Sequence, residues 1–230
     1  MKASNIILFS MIGSITLLII TGAMQIRFGD HADKAGSEES NLQSQTIELS
    51  DFSYVVVNNF DLTLTLAPGS KSEFEIGYEE GFEKPVFHYN MKGDTLVIDS
   101  LEWSDKHAMY HFKLVMPETV ASIKARNAFL SIQDCDNDRL QLNLQNARVN
   151  LDENNRFHSL DISGNNRSSI NSYLHSLDSL NLDLDNSQMN VNGIVGKLKG
   201  SMQNHSELSI KEVNEFAFKK DGSCRLNHWN

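Results

Sequence analysis

Residues 140–151, Leu140-Gln-Leu-Asn-Leu-Gln-Asn-Ala-Arg-Val-Asn-Leu151, decide how this chain folds. Leu140, Leu142 and Leu144 alternate with Gln141, Asn143 and Gln145, so one face of the segment is apolar and the other polar, the pattern of a half-buried strand. Asn146-Ala147 breaks the alternation, and Val149 and Leu151 resume it. About twenty residues later the order returns, which is the mark of a repeat architecture. The triplet becomes Leu160, Ile162 and Gly164, then Leu180, Leu182 and Leu184, then Leu198, Gly200 and Met202, and in shortened form Phe216 and Phe218. A polar corner follows each one: Asn166-Arg167, Asn186-Ser187, Asn204-His205 and Gly222-Ser223. Met189/Val191 and Leu208/Ile210 repeat the second apolar pair.

One strand-corner-strand unit cannot bury its apolar face alone. Stacking the units sets Leu140 beneath Leu160 beneath Leu180 and makes one continuous core, with strands spaced about 4.8 Å apart. A third, short side then closes each turn through single apolar residues, read as Phe157, Leu174 or Leu177, Ile194 and Val213. Asn and Gly suit the corners because they tolerate the left-handed backbone of a sharp bend, and stacked Asn side chains add hydrogen-bonded ladders. The spacing slips by one residue after Asn166 and Asn204, which places the slips in corners. An antiparallel sandwich would also alternate. Two-residue hairpin signals such as Asn-Gly are scarce, however, and the register persists across the repeats, so the pattern favours the solenoid.

Before these coils, expected over residues 120–226, comes a less regular strand-rich stretch over 46–119. It contains Tyr54 to Val57, Leu62/Leu64/Leu66, Phe74/Ile76, Val86 to Tyr89, Leu96 to Ile98 and Tyr110/Phe112/Leu114/Met116, with bends at Pro68-Gly69, Gly81, Lys92-Gly93 and Pro117. Its aromatic residues, among them Phe74, Phe82, Phe87, Tyr89, Trp103 and Phe112, read as core and as a cap for an otherwise open strand edge. Residues 6–20 are almost wholly apolar, and the weakly polar continuation to Ile26 brings the span near bilayer length. That pattern fits a retained transmembrane helix within 1–28, or a signal peptide cut after Ala23. Residues 29–45 are polar and read as a flexible spacer.

This succession resembles the auto-transporter adhesin head family, also called the GIN or DUF2807 family. The resemblance rests on Phe52-Ser-Tyr-Val-Val-Val57, Leu62-Thr-Leu-Thr-Leu-Ala-Pro-Gly69, Gly93-Asp-Thr-Leu-Val-Ile98, Phe112-Lys-Leu-Val-Met-Pro117 and the Asn-centred repeats, over about residues 46–226. It implies an all-β, right-handed parallel β-helix-like solenoid at the cell envelope, and it transfers no catalytic residue.

A net charge of −10 and no basic stripe argue against nucleic acid. Cys135 and Cys224 fall at opposite ends of the coils, about four or five strand spacings or roughly 20 Å apart. A disulfide needs Cα atoms within about 7 Å, so none is expected. His107 and His111 have the spacing of paired zinc ligands without a third partner in sequence. Asp134, Asp136 and Asp138, like Asp183 and Asp185, alternate as calcium ligands do, although the solvated face of a strand accounts for both. No nucleophile-base pair or phosphate-cradling loop appears. With no cofactor, metal or catalytic residue indicated, the expectation is a membrane-tethered, extracytoplasmic, non-catalytic binding or scaffold module of the bacterial envelope, with an envelope glycan or protein as partner. A self-assembling β-helical element, stacked through its final coil, and a glycan-active enzyme are the alternatives.

Overall fold

The computed structural model describes residues 42–102 and 109–228, and among these no helix occurs. In chain order the strands are β1 (Leu42–Glu48), β2 (Tyr54–Pro68), β3 (Glu73–Glu79), β4 (Val86–Lys92), β5 (Thr95–Glu102), β6 (Tyr110–Met116), β7 (Ser122–Ile132) and β8 (Asp136–Gln145). They continue as β9 (Arg148–Leu151), β10 (Arg156–Asn165), β11 (Ser169–Ser172), β12 (Ser176–Asp185), β13 (Gln188–Gln203), β14 (Glu207–Lys220) and β15 (Arg225–His228). The apolar segment at residues 6–26, most of the spacer, Trp103 and His107 lie outside the described residues.

The strands wind as a β-solenoid with two long faces. On the first face, β8, β10, β12, the second half of β13 and the second half of β14 run parallel to one another. Leu140, Leu160, Leu180, Leu198 and Phe216 are register partners in succession, and so are Leu142, Ile162, Leu182, Gly200 and Phe218. On the second face, β9, β11, the first half of β13, the first half of β14 and β15 stack in the same manner, carrying Val149, Ile170, Met189, Leu208 and Leu226. A sandwich would have placed these strands in antiparallel pairs.

Coil geometry starts earlier than the leucine repeats suggest. The first part of β2 pairs in parallel with β7 on the first face, and its last part does so on the second, with a register shift between Phe60 and Thr63 where the chain turns the corner. At that corner Asn59 and Asn127 adopt φ values of 49° and 50°, as Asn146, Asn166, Asn186 and Asn204 do between 49° and 55°. The row of left-handed asparagines therefore extends into the aromatic-rich lead-in. A left-handed residue other than Gly is disfavoured, and Asn least so, which is why one residue type recurs at the bend. The two slips have a structural basis as well. After Asn166 and Asn204 a second left-handed residue follows, Arg167 at 68° and His205 at 63°, so these corners are one residue longer than those at Asn146 and Asn186.

Inside the corner runs a second ladder. The Ser168 hydroxyl accepts the Ala147 N–H, Ser187 accepts that of Ser168, and Ser206 accepts that of Ser187, at 3.1 to 3.3 Å. All three serines are buried. Each corner N–H that points away from solvent thus finds a partner on the next turn, as a buried donor must.

On the short side the expected residue changes. Val195, completely buried, pairs with Leu177 and Val213, whereas Ile194 is 40% exposed and pairs with Ser176. The parity is fixed beforehand by Gly193, which lies so close to the next backbone that a Cβ there would sit 2.0 Å from the Leu174 carbonyl oxygen. With Gly193 pressed inward, Ile194 must face out.

At the end formed by the earlier strands the parallel faces give way to antiparallel ones. β4 pairs antiparallel with β5, and β1, β3 and β6 form an antiparallel run. Buried Phe74 of β3 stacks on Phe87 of β4 with ring centroids 3.7 Å apart, while Phe60 meets Phe112 edge-on at 5.3 Å. These rings link the two faces across the end of the core, the cap expected from their composition.

Two substitutions test the two ladders. Leu180→Ala removes a fully buried side chain flanked above and below by leucine, and should cost about 2–5 kcal/mol in denaturant unfolding. Ser187→Ala takes away the nearer of the two acceptors of the Ser168 N–H, which also reaches the Asn165 carbonyl at 3.3 Å, and should cost about 0.5–1.5 kcal/mol by the same measurement.

Candidate functional site

Residues that face outward in a solenoid are held in columns by the same register that aligns the core, so their side chains meet one turn to the next. On the second face Asn150, Asn171 and Asn190 form a chain of amide hydrogen bonds at 3.0 and 3.1 Å. Along the corner, the Asn146 amide donates to Asn127 and the Asn127 amide to Asn59, both at 2.9 Å. On the first face Asn181 and Arg139 both donate to Asp161, Ser201 donates to Asp183, and Gln203 and Asn204 donate to Asp185. The acidic residues at 183 and 185 are therefore ladder members. Among the described residues no group of three His, Cys, Asp or Glu side chains is arranged to hold a metal ion. His111 is exposed on β6, and its sequence partner His107 is not among the described residues.

Among the concave regions of the described residues, two bear on the site. One, of about 290 Å³, opens on the first face beside the corner and is lined by Val56, Asn58, Lys124, Arg126, Asn143, Gln145, Ser163 and Asn165, over the backbone of Ala125 and Leu144. Lys124 and Arg126 are two apart on β7, so strand alternation sends both to the same side. The second, of about 670 Å³, lies along the short side and carries Asp136, Glu153, Arg156, His158, His175 and Asp178. Part of its charge is paired: Asp136 lies 4.0 Å from Arg156, and Asp138, just outside, lies 3.4 Å from His158. Of the aspartates at 134, 136 and 138, Asp134 occupies a bend with φ of 55° and the other two stand exposed in these pairs.

Both cysteines are free and buried. Burial, helped by the nearby Asp134 carboxylate, pushes the Cys135 thiol up to about 12, so it stays protonated and inert at neutral pH. Its backbone N–H is held by the side chain of buried Asn155, which also donates to the carbonyls of Ile132 and Asp152. This is a packing role. In the last corner, Asp221, one place past Lys220, the register partner of Met202, holds the bend through its side chain. It accepts the Ser223 hydroxyl at 2.6 Å and the backbone N–H groups of Asn204 and Ser223, and these bonds hold its carboxyl far below the usual carboxylate range.

No family model matches this chain, and no curated protein matches it. Solved structures do. A "putative adhesin" from Bacteroides fragilis is 10% identical, with a TM-score of 0.54 over 81% of this chain and 96% of its own. The fold is the one that protein has. A "putative lipid binding protein" from Parabacteroides distasonis, 11% identical, gives 0.50 over 84% and 98%. A "putative adhesin" from the same species, 14% identical, gives 0.49 over 82% and 98%. The adhesin-like fold is also what the likeness to the GIN family leads one to expect.

Sequence reasoning located the ladders and passed over the groove, because Lys124 and Arg126 precede the first leucine triplet and become neighbours of Asn143 and Asn165 only through coil stacking. The last corner offers a test of its own chemistry. A depressed folded-state value means that Asp221 contributes stability in full above its unfolded value of about 3.9, and loses it as pH falls toward the folded one. Asp221→Asn should therefore lower the urea midpoint at pH 7, and the gap to the native chain should narrow at pH 2.5.

Proposed function

We propose that this chain is a non-catalytic adhesion module displayed at the bacterial cell envelope, with the solenoid outside the cytoplasm. Residues 6–26 would tether it as a single-pass anchor, or release it to the periplasm if they are cleaved. The proposal retains the right-handed sense of winding, which parallel crossovers strongly prefer. One observation carries the binding role. The outward side chains are fixed to one another in ladders before any partner arrives, so a ligand lying on them immobilises little that is still free. The names of the solved relatives, adhesin and lipid-binding protein, support a binding rather than a catalytic role.

A second reading has its own support at the far end of the coil. Phe216 is 53% exposed and lies 5.8 Å from the Phe218 ring, on the second half of β14, past the first half that β15 covers, where the outer edge has no strand partner among the described residues. End-to-end self-association through that turn would cover both rings.

Two measurements on the full chain separate these readings. In a bacterial host, protease added to intact cells should cleave the solenoid only after the outer barrier is opened or if the domain is displayed outside it, and cell fractionation should recover it with the envelope. A cytosolic soluble pool defeats the adhesion reading. Light scattering of the purified chain should give one mass at all concentrations if adhesion is its role, and a mass that climbs with concentration if self-assembly is.

A further inference from the structure

We infer that the groove beside the corner on the first face is a subsite for an acidic saccharide, a chain of sugar rings carrying carboxylate groups. This rests on the binding reading above and names its ligand class.

The first support is uncompensated charge. The chain carries a net charge of −10, and Arg139, Arg156, Lys113 and Lys197 are each paired with a carboxylate, while among the described residues other exposed cations, Lys199 and Lys219 included, are not. Lys124 and Arg126 are exposed at the rim of the groove, and among the described residues neither makes an ion pair. Along the same columns toward later coils the carboxylates of Asp183 and Asp185 are held by Ser201, Gln203 and Asn204, outside the groove. Two adjacent cations with no internal carboxylate suit an anion supplied from outside.

The second support is independent of charge. The side-chain oxygen of Asn165, at the opposite rim, is buried and has no hydrogen-bond partner. A buried unsatisfied acceptor is costly, and because Asn165 as a whole is only half-buried, a turn of its side chain toward the groove would bring that oxygen to a hydroxyl donor of a ligand. Carboxylates alone lack that donor. A sugar acid offers both, with its carboxylate toward Lys124 and Arg126 and a ring hydroxyl toward Asn165. The amides of Asn58, Asn143 and Gln145 present donors and acceptors between these two points, and Val56 offers apolar surface to a ring face. A volume of about 290 Å³ sits at the lower end of small-ligand clefts, so the groove takes a segment of a longer chain.

The test is titration calorimetry of the full chain in mild detergent with tetragalacturonate and with the neutral galactotetraose. Tetragalacturonate should bind, the neutral tetramer should bind at least roughly tenfold more weakly, and affinity should fall as salt rises. Lys124→Glu with Arg126→Glu should lower tetragalacturonate affinity by roughly tenfold or more, and Asn165→Ala by a few-fold, with circular dichroism and thermal midpoint unchanged by the exposed double substitution. Lys219→Glu, on the same face but remote from the groove, should bind as the native chain does. Equal affinity for the two tetramers, binding untouched by the double substitution, or a dependence on Lys124 and Arg126 seen only with anionic lipid vesicles would each overturn the subsite. Envelope adhesion that persists when tetragalacturonate does not bind leaves the adhesion module standing and removes only its acidic-saccharide specificity.

Discussion

Each strand of the coils has its hydrogen-bonding partners in the turns before and after it, and everything else follows from that dependence. A strand such as β10 cannot shift by one position against β8 and β12 without exchanging its leucine row for its polar row. Core and surface are thus two readings of a single register. The corners protect it, because the asparagine bend and the serine inside it fix where each strand starts.

Much of this was written in the chain, and the reasons differ by element. Leu140, Leu160 and Leu180 announce their stacking because strand alternation is strict and the interval between them is constant. The slips after Asn166 and Asn204 were visible too, and they correspond to Arg167 and His205 as second left-handed residues. Serine escaped notice, since Ser168, Ser187 and Ser206 look like ordinary turn residues until the corner closes around them. Ile194 misled because apolar character predicts burial only when parity is known, and parity on the short side is set by the contact of Gly193 with the Leu174 carbonyl. The coil within β2 was hidden by the intervening strands β3 to β6, which separate it by some distance in sequence from its neighbour β7.

The candidate site was the least legible part. Its cations come from one strand and its unsatisfied amide oxygen from another two coils away, and no motif joins them. The alternating aspartates, which do look like a motif, resolve into ion pairs, a bend and ladder members. In a solenoid, local spacing reports which way a residue faces. What it faces is determined by the turn above.

The repeated corner has one further implication, for how such a protein can change over time. Because a whole coil enters and leaves at equivalent asparagines, duplicating or deleting that unit would preserve both hydrogen-bonded faces and the serine row. Height is then an adjustable trait, separable from the aromatic cap at one end and from whatever the groove recognises. A lineage could lengthen or shorten its reach from the surface without redesigning the part that makes contact.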